Sequence, residues 1–366
     1  MRPSIAWATL VLTVFASPGL AACAIASQTA SETAAVAPPR PSSSTSSGLP
    51  RVRLVATGGT ISNRSGGRLT AEELVASIPG VERYVRPEVE QFANVASGSL
   101  TLKQWVGLVN RINTIFVEDP ELSGIVVTSG TDTLEETAYF LDLTVRSDKP
   151  VVIVGSMRNP STLGYEGAAN LLEGYRVAAD PRSRGKGVLV VLNDEINSAR
   201  DVTKTDAHRL DTFQSRSYGI LGVVDADRIV FYRDVVKRHA GTTEFDVSAI
   251  EDLPRVDVVM TYQGATGDII KAIVDQGARG IVIAAAGAGA MSGTQDEGIR
   301  YALDKGVFVV IATRTGSGRI MPRSTSAARL QIEGEDLAPI KARILLMLAL
   351  TKTRDAAEIQ RMFSEY

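Results

Sequence analysis

From Arg51 onward, short apolar runs alternate with longer amphipathic stretches. Val52–Ala56, Gly124–Thr128, Val151–Val154, Val188–Leu192, Val256–Met260, Ile281–Ala285 and Val307–Ile311 have the length and β-branched content of strands. Most are followed by a segment of helical period, and this alternation predicts an α/β fold with parallel sheets. Thr70-Ala71-Glu72-Glu73 reads as a capping box before a short helix. Thr101-Leu102-Lys103-Gln104 reads as a second, opening an amphipathic helix to about Phe116. Another helix is expected after Gly124–Thr128, ending near Thr144, and two more close the chain over Pro339–Thr351 and Asp355–Glu365. Tyr218–Tyr232 differs: two short β runs flank Asp225-Ala226-Asp227, as in an antiparallel hairpin.

The first fifty residues follow another pattern. One arginine, an apolar run from Ile5 to Ala16 and a small-residue segment make an export signal. The run is too short to span a membrane, which takes roughly 20 apolar residues. Leu20-Ala21-Ala22-Cys23 resembles the lipobox of bacterial lipoproteins, in which the cysteine becomes the acylated first residue. The bland alternative is an ordinary secretory peptide with Cys23 incidental. Residues 24–50, rich in Ala, Ser, Thr and Pro, bury too little apolar surface to offset ordering and read as a tether. The expected organisation is a signal over 1–22, an acylated cysteine and tether over 23–50, and a larger domain over 51–238. A linker over 239–254 and a smaller α/β domain over 255–366 follow.

Composition narrows the chemistry. The 366 residues carry 39 basic and 41 acidic side chains, which argues against binding nucleic acid through bulk charge. One cysteine excludes an intrachain disulfide. Two histidines, His208 and His239, have no metal-ligand spacing, so no metal site is expected.

Ligands of open parallel sheets bind at the carboxyl ends of strands, and three such ends carry small polar clusters. The first is Thr57-Gly58-Gly59-Thr60-Ile61-Ser62, whose glycines let backbone amides approach a ligand. The second is Thr128-Ser129-Gly130-Thr131-Asp132-Thr133, where Asp132 at a helix start has the simpler reading of a cap. The third is Arg200-Asp201-Val202-Thr203-Lys204-Thr205, whose lysine alone would pass for a solvated charge. Each is weak singly; three in order are not.

Together they resemble the bacterial asparaginase family, particularly its exported type II enzymes. Leu54–Ser62 fits the first family signature, and Gly124–Leu134 fits the second with Ser129 where histidine is usual. Asp201–Thr205, Gly155–Arg158 and Lys341–Thr351 are also similar, so the resemblance covers Arg51 to Tyr366. It implies a larger N-terminal, mostly parallel, flavodoxin-like sheet domain, a smaller C-terminal α/β domain, and a homotetramer with an amino-acid substrate and no cofactor. It implies Thr60 as nucleophile on a side-chain amide, with Thr131, Asp132 and Lys204 as the second catalytic cluster. An unperturbed lysine is charged at neutral pH; desolvation favours the neutral amine and Asp132 the cation, so their balance sets whether Lys204 is a base. Substrate binding is implied for Ser97, Thr131, Asp132 and Gly59, with Asp132 drawing the α-ammonium group and Ser97 the carboxylate. Ser99 is a rival in the same loop.

The departures are specific. Gly98 stands where glutamine is frequent, and the loop Ser62–Arg68 lacks the tyrosine usual beside the nucleophile. That leaves the activation of Thr60 to another route, the Thr131–Lys204 cluster among them. Ala290 replaces a polar residue of the glycine-rich turn, and 315–329 has no glutamate for a neighbouring subunit. Hydrolysis of L-asparagine to aspartate and ammonia is the leading expectation. A broader amidohydrolase and a catalytically silent binding lipoprotein stand as alternatives.

Overall fold

The computed structural model describes residues 48–321 and 330–366. The leader, Cys23 and almost all of the tether lie outside the described residues. The first part of the chain contributes β1 (Arg51–Gly58), β2 (Asn63–Arg64), β3 (Gly67–Arg68), β4 (Arg86–Val95), β5 (Gly124–Thr128), β6 (Val151–Val154), β7 (Val188–Leu192), β8 (Glu195–Ser198), β9 (Thr203–Lys204), β10 (Phe213–Gln214), β11 (Gly222–Val224) and β12 (Ile229–Phe231). Eight of these form one sheet in the order β12-β11-β8-β7-β6-β5-β1-β4. The stretch β4-β1-β5-β6-β7 is parallel throughout, and β8, β11 and β12 extend it antiparallel. The parallel part has the doubly wound order 2-1-3-4-5 of the flavodoxin-like class. A second, all-parallel sheet follows in sequence order: β13 (Val256–Met260), β14 (Gly280–Ala285), β15 (Phe308–Thr313) and β16 (Gln331–Glu333). The fold is therefore a larger, mostly parallel N-terminal sheet domain with a smaller C-terminal one.

The apolar runs become strands because almost every residue in them is inaccessible; β5, β6, β7, β14 and β15 are buried end to end. The expected hairpin over Tyr218–Tyr232 is the antiparallel pair β11–β12. Strand β4 is the long element that the apolar pattern did not announce. It lies at the sheet edge, is nowhere fully buried, and carries Arg86, Glu88 and Glu90 among its apolar residues.

The helices are α1 (Ala71–Ala76), α2 (Leu102–Glu118), α3 (Leu134–Thr144), α4 (Gly167–Ala179), α5 (Asp268–Asp275), α6 (Gln295–Asp304), α7 (Pro339–Lys352) and α8 (Ala356–Glu365). Both capping boxes form. Thr70 accepts from the Glu73 amide and Glu73 from the Thr70 amide, and Thr101 and Gln104 repeat the exchange. Helix α2 then buries the stripe Trp105, Leu108, Val109, Ile112 and Phe116, with Trp105 stacked on Phe140 at 5.2 Å. One continuous core runs from α2 and α3 through α7 and α8 into the small sheet, including Phe140, Leu345, Phe363 and Phe308. Helices α1 and α4 cover the other face of the large sheet, and α5 and α6 the far face of the small one. Helix α7 is buried nearly all round because it packs on the small sheet on one side and on α3 and α8 on the others.

Candidate active site

The expected site residues gather at the carboxyl ends of four adjacent strands. The loops after β4, β1, β5 and β6 carry Ser97, Thr60, Thr131 and Gly155 in that order across the sheet. The crossover after β1 runs toward β4 and the one after β5 runs the other way, toward β6, so the gap between β1 and β5 is the switch point at which such sheets open a crevice.

Backbone sterics bring the loops together. Gly59 has φ 94°, and a Cβ there would lie 2.3 Å from the Gly130 amide nitrogen. A Cβ at Gly58 would lie 2.4 Å from the Val95 nitrogen. Both contacts exclude any side chain, so the first turn rests directly on its neighbours. Below it, the Thr57 hydroxyl donates to the Thr128 carbonyl at 2.5 Å, and the Thr57 amide donates to Thr128 Oγ1 at 3.1 Å. Thr60 follows at the start of a single 3₁₀ turn, Thr60–Ser62, and is half-buried. Within the turn, Ser62 Oγ donates to the Gly59 carbonyl at 3.1 Å.

Ser97 is buried against Gly130, and its hydroxyl accepts from the Thr133 amide at 3.4 Å. Its rival Ser99 is exposed. Gly98 beside it is also exposed and would meet nothing with a Cβ. Lys204 lies on the short strand β9, and its Nζ donates to Thr131 Oγ1 at 3.0 Å and to Asp132 Oδ1 at 2.9 Å. Asp132 is therefore a lysine partner; the cap of α3 is Thr133, which makes no side-chain capping bond. The Asp132 side chain is 85% exposed, so this ion pair alone adds little stability. Ser129 is buried and donates to the Gly130 carbonyl. Among the described residues no cluster of three or more His, Cys, Asp or Glu side chains is placed to hold a metal ion.

Four supporting residues had no role assigned from the sequence, although Arg200 and Lys341 stand at the start of segments named there. Glu135 is buried, and its Oε1 accepts from both Thr203 Oγ1 and the Lys204 amide at 3.1 Å. It fixes the backbone from which Lys204 reaches Thr131, a role its sequence position does not signal, since any carboxylate in a first helical turn suits the helix dipole. Lys341, on α7, is fully buried and donates to the carbonyls of Ala199, Arg200 and Val202. Three acceptors require three hydrogens, which only the ammonium form has. Its signal was a lysine within an otherwise apolar helix. Arg200 is buried and makes a bidentate bond to Asp336, at 3.0 and 2.7 Å. Burial alone would raise the Asp336 carboxyl; the Arg200 bonds and charge reverse this and hold it well below the carboxylate range. Arg68, at the end of the β2–β3 hairpin, donates to the Gly59 carbonyl at 3.0 Å.

A hydroxyl on a glycine-pinned turn thus neighbours the loop of a second hydroxyl that accepts from a lysine, whose other bond goes to a carboxylate; such a set suits amide hydrolysis. Residues 51–237 match the family "Asparaginase, N-terminal" and 255–363 match "Glutaminase/Asparaginase C-terminal domain". The chain is 45% identical over 328 residues to L-asparaginase 2 of Bacillus subtilis (strain 168), covering 87% of each. It is 39% identical over 341 residues to L-asparaginase 2 of Escherichia coli (strain K12), covering 87% of this chain and 94% of that one. A crystal structure of a probable cytoplasmic L-asparaginase from Campylobacter jejuni superposes with a TM-score of 0.83 at 38% identity, over 87% of this chain and all of that one. The chain belongs to the asparaginase family.

Proposed function

We propose that this protein hydrolyses the side-chain amide of L-asparagine to aspartate and ammonia through an acyl-threonine intermediate. The observation that carries the mechanism is the Lys204–Thr131–Asp132 contact, made across about seventy residues of chain beside the turn that holds Thr60. Thr60 Oγ attacks the amide carbonyl carbon and gives its proton to Thr131, whose own proton passes to Lys204 in its neutral amine form. Collapse of the tetrahedral adduct breaks the C–N bond, and the nitrogen leaves as ammonia with the relayed proton. Water then attacks the ester, and Thr60 recovers its hydrogen. The Gly59 amide is taken by the Val95 carbonyl, so the backbone amides of Thr60 and Thr131 are the oxyanion donors. Asp132 draws the substrate α-ammonium group, and Ser97 the α-carboxylate. Purified protein should release ammonia from L-asparagine, and Thr60→Ala should lower kcat by about a thousandfold or more. Undetectable release by folded wild-type protein would overturn the proposal.

A broader amide range is the second reading, favoured by the open space at Gly98, where no side chain closes on the substrate amine. A higher kcat/KM for glutamine or for an α-amino-blocked amide than for asparagine would establish it. We also infer an exported, homotetrameric protein anchored by acylation of Cys23, supported by the leader, the lipobox-like Leu20–Cys23 and the resemblance to type II enzymes. A membrane-fraction protein that Cys23→Ala releases, and a tetrameric mass for the soluble form, are the expected results.

A further inference from the structure

The nucleophile turn is anchored by its carbonyls, and one anchor comes from an unexpected direction. Gly59 O accepts from Ser62 and Arg68, both on the turn or its hairpin. Ile61 O, one residue beyond Thr60, accepts at 2.9 Å from the phenol of Tyr165, more than a hundred residues away in sequence. Tyr165 sits at the end of the loop joining β6 to α4.

That loop is braced by hydrogen bonds within itself. The Glu166 carboxylate accepts from the Met157 and Arg158 amides, Arg158 Nη1 donates to the Gly164 carbonyl, and Asn159 Oδ1 accepts from the Ser161 amide. The loop also holds the hairpin tip, because Ser161 Oγ accepts from the Ser65 amide at 2.9 Å. Space has been cleared for the tyrosine ring. A Cβ at Gly167, the first residue of α4, would lie 2.3–2.4 Å from Tyr165 ring carbons and the phenol oxygen. Burial, then the neighbouring Glu166 charge, push the phenol pKa up, so it remains a hydrogen donor across the working pH range.

We propose that Tyr165 is a positioning residue for Thr60: its bond to the Ile61 carbonyl sets the orientation of the turn that presents the nucleophile. The proposal rests on Thr60 being the nucleophile. It gives the sequence a source of order at a turn whose own loop, Ser62–Arg68, contains no tyrosine. The phenol touches backbone beyond Thr60, so it sets geometry and carries no proton in the reaction.

The test is steady-state kinetics on asparagine with Tyr165→Phe, Gly167→Ala and the double variant, with Thr60→Ala as control. Tyr165→Phe keeps the ring and removes the bond. It should lower kcat about tenfold, the effect of one net hydrogen bond, with KM within twofold and an unchanged pH profile. Gly167→Ala keeps the phenol but displaces it, and should show the same loss. The double variant should be no worse than either single one, because both break one bond. An unchanged kcat in Tyr165→Phe overturns the proposal. So does a rise in KM alone, which would put the phenol on the substrate, or a shifted alkaline limb, which would make it a proton carrier. Fully additive losses in the double variant overturn it as well. If Gly167→Ala does not fold, the kcat, KM and pH results of Tyr165→Phe still decide. Retained activity in Thr60→Ala would instead remove the nucleophile reading, whatever Tyr165 does.

Discussion

Lys204 owes its place to neighbours on both sides of the chain fold. Its amine bridges Thr131 and Asp132, while its amide is held by Glu135. Lys204→Met should therefore lower kcat by about 10²–10⁴-fold, the usual worth of a positioned proton-transfer group, and leave the unfolding midpoint nearly unchanged. Glu135 separates charge from geometry. Glu135→Gln retains an oxygen acceptor for the Thr203 hydroxyl and the Lys204 amide and should keep most activity. Glu135→Ala leaves both donors without it and should lose kcat along with roughly 1–3 kcal/mol of stability, measured by urea unfolding. The side chains proposed to react could be picked out in the sequence because each sits in a short motif of small polar residues. Their supports were not, because Glu135 and Lys341 look like ordinary helix charges until the fold buries them.

At the scale of elements, legibility followed burial. Strands β5, β6 and β7 are covered along their whole length, so their sequences are uninterrupted apolar runs with readable ends. Strand β4 escaped because an edge strand needs no such run. Its Glu88 and Glu90 face Arg51, Arg53 and Arg111 instead. Helix starts were readable where a side chain closes the first turn, as at Thr70 and Thr101, and blurred at α4, where Glu166 makes no capping bond. Thr101→Ala should cost about 1 kcal/mol in denaturant unfolding. Activity should change little, since the cap stands outside the reacting groups.

For the whole molecule, the buried cation on α7 joins the two sheets through chemistry as well as packing. Lys341 holds three carbonyls of the segment that leads into Lys204. Lys341→Met should leave those acceptors unpaired, reducing both stability and kcat. Burial pushes the Lys341 ammonium down to about 8 from 10.5 in the folded chain. Between those values the unfolded chain holds more protons, so the contribution of this group to stability rises with pH across the window. The stability gap between wild type and Lys341→Met should therefore widen from pH 8 toward 10.5 in paired urea titrations. A gap that narrows would show that the ammonium is favoured by folding.

That grip has a practical meaning for how the chain can be divided. The hydroxyls proposed to react and Lys204 all lie before residue 205, yet the clamp that holds the lysine segment arrives with residue 341. A cut in the stretch 248–254, which contains no helix or strand, would leave every reacting group on one piece and its brace on the other. The first piece alone should be silent, and ammonia release should return only when the two reassociate. Turnover by this protein would then report the meeting of two polypeptides, and each could be fused to a molecule whose encounter is to be detected.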